Sequence, residues 1–169
     1  FAGLDEGNAA NSRGDFAAAV REYKPLAERG NAKAQANLAM LYFYGDGVPK
    51  DYDQGLKWLR LAAGQNLPFA QSNLGSLYAQ GVGVKKDYKE AIRYYRLAAD
   101  QGYADGQYNL GYAYFVGQGV EKDDRDAAKW FSLAANQGQP EAAQYMSYMY
   151  MKGLGGVPKD LGKGISLLT

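Results

Sequence analysis

Cysteine and histidine are both absent from the 169 residues. The first absence excludes a disulfide framework, a thiolate nucleophile and any metal site built on sulfur. The second removes the commonest general base and the commonest transition-metal ligand. Val, Ile and Thr together supply only 10 residues, too few for a chain built on sheets. No apolar run approaches the roughly 18 residues of a membrane span. A charge excess is missing as well: Lys plus Arg is 19 against 18 for Asp plus Glu, a net charge of +1. Nucleic-acid binders normally carry a basic excess, so no nucleic-acid partner is expected. Phe1 opens no signal-peptide pattern, so such a segment is either not used or removed.

What the chain has is a period. G-D-G-V-P-K-D ends at Asp51, G-V-G-V-K-K-D at Asp87 and G-Q-G-V-E-K-D at Asp123, each 36 residues after the last. Asp15 lies one step earlier, and Asp160 comes one residue late because G-L-G-G-V-P-K-D carries an extra residue. Leu38, Leu74, Leu110 and Met146 keep the same step, as do Tyr42, Tyr78, Tyr114 and Tyr150. The pairs Ala62–Ala63, Ala98–Ala99 and Ala134–Ala135 form a third series.

Each period reads as two helices. The first, A, spans 32–44, 68–80, 104–116 and 140–152; Ala34, Leu38, Leu41 and Tyr42 fall at helical spacing. It stops at Gly45, Gly81, Gly117 or Gly153, where a residue of positive φ is needed. The second, B, begins at Asp51, Asp87, Asp123 or Asp160, whose carboxylates cap free backbone N–H groups. Asp87 and Glu90 have the spacing of a capping box. Helix B ends at Gly30, Asn66, Gly102 and Gly138, and asparagine is the best non-glycine substitute in the left-handed region. The first unit has a tight G-D-F turn instead of the longer loop, and Pro25 is expected to kink its second helix. The last unit stops at Thr169 before any Ala-Ala pair, which reads as an imposed boundary. The expected fold is an all-α, α/α solenoid superhelix of about five antiparallel helix pairs, a single domain over 1–169 with units at about 1–30, 31–66, 67–102, 103–138 and 139–169. One such pair cannot bury its apolar face alone, whereas stacked pairs share a continuous core.

The pattern A-x-x-x-L-G-x-x-Y, then G-x-G-V-x-x-D-Y, then A-A-x-x-G, resembles the Sel-1-like repeat family, a relative of tetratricopeptide repeats. The first unit resembles a plain tetratricopeptide repeat. The resemblance covers essentially the whole chain. It implies an adaptor or scaffold, often bacterial and periplasmic or secreted, that binds a protein or an extended peptide. Some cysteine-rich relatives are described as penicillin-binding or β-lactamase-like, and this chain departs from them in having no cysteine.

No catalytic residue emerges from the sequence. Ser12, Ser72, Ser76, Ser132, Ser147 and Ser166 all lack the lysine three positions on that a serine β-lactamase-type site requires. The acidic group Asp123, Asp124 and Asp126 sits at a helix start, where carboxylates are favoured electrostatically. The glycine loops follow helices and contain no G-K-[ST], so they do not read as phosphate loops. No metal and no cofactor is expected.

By the resemblance, the A helices line a concave face along which the ligand lies. Asn37, Asn73 and Asn109 recur there, with Tyr145 at the fourth position. A side-chain amide offers a donor and an acceptor and can pair with both backbone groups of an extended peptide; it can equally bond to the neighbouring repeat. Flanking positions would set specificity: Lys33, Ala36, Met40 and Phe43, then Phe69, Ser72, Ser76 and Ala79. Asp105, Tyr108, Tyr112 and Phe115 follow, then Glu141, Gln144, Tyr148 and Met151. Tyr108, Tyr112, Phe115 and Tyr148 make the C-terminal half aromatic, a composition typical of binding hot spots. Tyr78 and Tyr114 read as core, whereas Tyr112 and Tyr148 read as exposed because their equivalents are Met40 and Ser76. Trp58, Tyr94 and Trp130 share one position on helix B and read as inter-helix packing. The alternatives to a peptide are a cell-wall fragment or other glycan held by tyrosine faces and amides, and a β-lactam-directed activity. Self-stacking through the incomplete last repeat is also open.

Overall fold

The computed structural model describes residues 2–169, with side chains from residue 3 onward. All regular structure among these residues is helical. The helices are α1 (Ala2–Ser12), α2 (Phe16–Glu28), α3 (Ala32–Tyr44), α4 (Tyr52–Gly64), α5 (Pro68–Gln80), α6 (Tyr88–Asp100), α7 (Ala104–Val116), α8 (Asp124–Asn136), α9 (Pro140–Lys152) and α10 (Leu161–Ser166). The four A helices occupy the spans read from the period. The chain divides in the loop after α5 into two compact units, one ending at Lys85 and the other beginning at Lys86.

In the first unit α1 packs on α2, α2 on α3, α3 on α4 and α4 on α5. Leu38, Leu59 and Leu74 are fully enclosed, as is Tyr23. Small residues let the helices approach closely: a Cβ on Gly55 would sit 2.9 Å from the Phe43 ring. Helix α2 continues past Pro25, which lies in its last turn. In the second unit α6 packs on α7, α7 on α8, α8 on α9 and α9 on α10. Its centre is Phe131, Ala134, Ala142, Met146 and Met149.

The recurring sequence signals have specific structural work. The aspartates cap as expected: Asp51 accepts from Gln54 N–H at 3.0 Å, Asp87 from Glu90 at 3.1 Å and Asp160 from Lys163 at 2.9 Å. Asp123 accepts from both Arg125 and Asp126, at 2.9 and 3.1 Å. The capping box at Asp87 is only half made. The Glu90 carboxylate turns to Arg93, one helical turn on, at 2.6 Å instead of returning to the Asp87 N–H; that bond holds Glu90 below the usual carboxylate range. The loop between A and B closes through main chain, with Asp51 N–H donating to the Tyr42 carbonyl at 3.0 Å and Asp123 N–H to Tyr114 at 2.9 Å. Its two glycines differ in purpose. Gly117 caps α7 at φ 72°, while Gly119, at φ 75°, lies where a Cβ would stand 2.6 Å from the Tyr88 carbonyl. Asn66 takes φ 65°, the left-handed value its place in the glycine series calls for.

A buried amide series was not anticipated. Gln35, Gln71 and Gln107, again 36 residues apart, are 3%, 2% and 4% exposed. Each donates to a carbonyl in the last turn of the preceding B helix: Gln35 to Ala27 at 3.1 Å, Gln71 to Ala63 at 3.4 Å and Gln107 to Ala99 at 3.4 Å. These carbonyls already accept the N–H of Gly30, Asn66 and Gly102 at 3.0, 3.0 and 2.9 Å, and the glutamines add a second donor to each. Gln65 and Gln137 complete the arrangement, donating to Gln35 at 2.9 Å and to Gln107 at 2.8 Å.

Candidate binding face

The A helices carry the expected site residues, and the structure divides them into three surroundings. In the first unit a hollow of about 230 Å³ is lined by Asn8, Lys33, Ala36, Asn37, Leu67 and Phe69. Asn37 donates to Asn8 Oδ1 at 3.1 Å, and the same oxygen accepts from the Tyr23 hydroxyl at 2.7 Å. Asn37 thus bonds to the neighbouring helix pair. A second hollow of about 270 Å³ includes Met40, Phe43, Asn73 and Ser76. Asn73 donates to the Phe69 carbonyl of its own helix at 2.7 Å. Phe43 is a buried wedge against Gly55, and Ala36 and Ser72 are buried too, so these three form the floor rather than an exposed rim. They are small or flat residues at the line where consecutive helices meet.

The second unit is different in kind. Asn109 is half-buried and makes no hydrogen bond among the described residues. Around it the rings form one cluster. Tyr145 stacks on Phe131 with centroids 4.8 Å apart and planes 10° apart. Phe115 meets Tyr145 edge-on at 5.3 Å and Tyr148 edge-on at 6.3 Å. Tyr112 meets Tyr145 at 5.9 Å, and Tyr108 lies 6.2 Å from Tyr145. Edge-to-face and offset arrangements of this kind are the favoured ones for aromatic quadrupoles. Phe115, Gln144, Tyr145 and Tyr148 line a shallow, open hollow of about 330 Å³. Tyr112 and Tyr148 stand clear of the packing, 36% and 44% exposed. Burial pushes the Tyr108 hydroxyl up to about 12, helped by the neighbouring Tyr145 and by the Glu141 carboxylate. Burial also raises Tyr145 and Tyr103.

The other tyrosines of the period serve packing. Tyr78 and Tyr114 are half-buried, their hydroxyls reached by Arg60 at 3.4 Å and Arg96 at 2.6 Å. Trp58 and Trp130 are buried at 7% exposure each. Asp124 pairs with Lys122 at 2.7 Å, and Asp123 is occupied as a cap, so the acidic group at the start of α8 is structural. One exposed series escaped the sequence reading: Leu61, Leu97 and Leu133 on the B helices are 46%, 40% and 42% exposed. Their 36-residue spacing was available as a signal. No helix among the described residues is long and apolar enough to cross a membrane.

The Sel1 repeat family model matches residues 32–67, 68–103, 104–139 and 140–169. The chain belongs to the Sel1 repeat family. Among solved structures it is similar to a protective antigen of uropathogenic Escherichia coli displaying the same repeat fold, at 38% identity and TM-score 0.82 over 89% of this chain and 32% of that one. It is also similar to a Sel1 repeat protein from Oxalobacter formigenes, at 36% identity and TM-score 0.83 over 90% of this chain and 44% of that one. The cysteine-rich protein B of Helicobacter pylori matches at 27% identity and TM-score 0.60, over 76% and 92% respectively. The chain therefore spans less than half the length of the first two relatives. No curated protein matches it. Sel1 repeat proteins are α-helical solenoids that generally act as protein-interaction scaffolds, and the family is typically non-catalytic.

Proposed function

We propose that the chain is a non-catalytic docking scaffold whose A-helix faces bind a partner protein through an extended segment. The observation that supports this most is the aromatic cluster of the second unit, where Tyr112 and Tyr148 stand exposed beside a hollow walled by Phe115 and Tyr145. Tyrosine gives large contact area at small entropic cost, and its polar tip tolerates water while unoccupied. Rings already held by their neighbours lose little freedom on binding, which favours a preformed site. In this reading Asn109 supplies main-chain hydrogen bonds beside the rings. Asn37 and Asn73 contribute through the donor each retains after its internal bond, with Lys33 beside Asn37 on the first unit's face.

Affinity capture from a bacterial extract tests it, comparing the wild type with a Tyr112→Ala, Tyr148→Ala variant and with an Asn37→Ala, Asn73→Ala, Asn109→Ala variant, each of confirmed helicity. A specific protein held by the wild type and lost by the tyrosine variant supports the reading. Loss in the asparagine variant as well assigns main-chain contacts to the amides. Equal retention by all three contradicts it and turns attention to the exposed leucines of the B helices. Capture of wall-derived glycan instead of protein also contradicts it.

A further inference from the structure

Several of this protein's aromatic rings, most of them on B helices, are covered by its own cations. Lys50 lies 5.2 Å from the Tyr52 ring centroid, Lys57 4.8 Å from Trp58 and Lys86 5.1 Å from Tyr88. Arg93 lies 4.2 Å from Tyr94, Lys129 4.8 Å from Trp130 and Lys163 4.4 Å from Tyr150. The negative face of an aromatic ring attracts such a cation, and five of these six rings lie on B helices, with Tyr150 on α9.

The exposed rings of the A face break this habit. Among the described residues no lysine or arginine lies over Tyr108, Tyr112, Tyr145 or Tyr148. Lys122 lies over the Phe115 ring on one side of the cluster, 5.0 Å from its centroid, and pairs with Asp124 at 2.7 Å. Helix α7 contains no basic residue and α9 only Lys152 in its last turn. Both carry an acid at the opposite end: Asp105 and Glu141. Asp105 precedes Tyr108 by three positions and Tyr112 by seven; Glu141 precedes Tyr145 by four and Tyr148 by seven, so each acid shares its helix face with the rings. The influence of Glu141 on Tyr108, across from α9 to α7, places that carboxylate beside the cluster.

We propose that the occupant of this face is a basic segment of the partner protein, with an arginine or lysine side chain seated among Tyr112, Tyr145 and Tyr148 and its charge facing Glu141. The inference rests on the docking reading above and adds the chemistry of the partner. The hollow of about 330 Å³ has room for one such side chain, and its apolar walls accept the methylene stem. The ring faces and the Glu141 carboxylate, one helical turn from Tyr145, then act on the same charge.

The test uses the whole chain and a short glycine-serine peptide carrying several arginines. Its counterpart has citrulline at every arginine, which keeps the shape and removes the charge. Binding is followed by fluorescence anisotropy and by amide shifts in the labelled protein. The arginine peptide is expected to bind about tenfold more tightly than the citrulline peptide. Its affinity should fall with salt, survive Tyr148→Phe, drop several-fold in Glu141→Gln and be lost in Tyr112→Leu, Tyr148→Leu. Equal binding of the two peptides, both lost in the leucine variant, overturns the cationic assignment while leaving the docking face in place. Arginine binding that ignores the leucine substitutions overturns it as well, because the charge is then read elsewhere. Absence of binding by either peptide overturns it too, and the capture experiment then judges the docking reading separately.

Discussion

Phe131 of α8 and Tyr145 of α9 lie face to face, 4.8 Å between centroids and 10° between planes. Phe131 is fully buried and Tyr145 half-buried, so the stack joins the core of the second unit to the face carried by its A helices. Gly111 makes room for it: a Cβ there would stand 2.9 and 3.1 Å from two atoms of the Phe131 ring. Gly111→Ala should displace the ring and cost about 1–3 kcal/mol, the usual penalty for overpacking a tight core. Urea denaturation measures the loss, and near-UV circular dichroism reports the disturbed tyrosines. An unchanged midpoint and spectrum would show that the stack does not depend on this glycine.

Buried Gln107 and exposed Gln137 should behave as a coupled pair. Gln107 donates to the Ala99 carbonyl and accepts from Gln137, which also donates to the Gly102 carbonyl at 2.9 Å. Gln107→Leu removes one of two hydrogen bonds on the Ala99 carbonyl, which keeps the Gly102 N–H at 2.9 Å, and should cost about 0.5–1.5 kcal/mol. Adding Gln137→Ala should cost less than its effect in the wild-type background, because the shared bond is already gone. Strict additivity in a double-mutant cycle would refute the coupling.

Removing a cap should be felt locally. Asp123 serves two N–H groups at the start of α8, so Asp123→Ala should destabilise the chain by about 0.5–2 kcal/mol while Asp123→Asn retains most of the stability. Thermal melts of the two variants decide whether capping or charge is what matters.

The tyrosine cluster predicts an alkaline limit. Tyr108 is held up to about 12 in the fold, chiefly by burial, against about 10 for a free tyrosine. A raised pKa means that the folded state keeps its proton longer than the unfolded state does. The contribution is complete below about pH 10 and is lost as pH rises towards about 12. Melting temperatures recorded across that window should fall, and Tyr108→Phe should fall less steeply. An identical slope in the variant would remove Tyr108 from the explanation.

The fold was legible because its signals repeat. Helix ends at Gly45, Gly81, Gly117 and Gly153, caps at Asp51, Asp87 and Asp123, and the left-handed Asn66 are all local backbone requirements, and each occurs in a fixed register. The exposure of Tyr112 and Tyr148 was also readable, from Ser76 at the equivalent position of another repeat, although serine is no general marker, since Ser72 and Ser147 are buried. What escaped was the direction of side chains. Phe43 and Tyr148 both looked like face residues, but Gly55 lets Phe43 sink into the core. Gln35, Gln71 and Gln107 passed unnoticed because a glutamine in a helix is ordinarily a surface residue; only its neighbour's carbonyl reveals its role. The internal partners of two asparagines were beyond any spacing argument: Asn8 for Asn37, and the Phe69 carbonyl for Asn73.

The most direct measurement places a photo-crosslinking amino acid at position 148 on the A face and, separately, at position 133, where Leu133 is similarly exposed on helix B. Irradiation is carried out in a bacterial extract, and the linked proteins are identified by mass spectrometry. The account predicts that position 148 captures one specific protein through a segment rich in arginine or lysine, while position 133 does not capture it. Capture of that protein from position 133 alone would contradict the account and move the interface to the B helices.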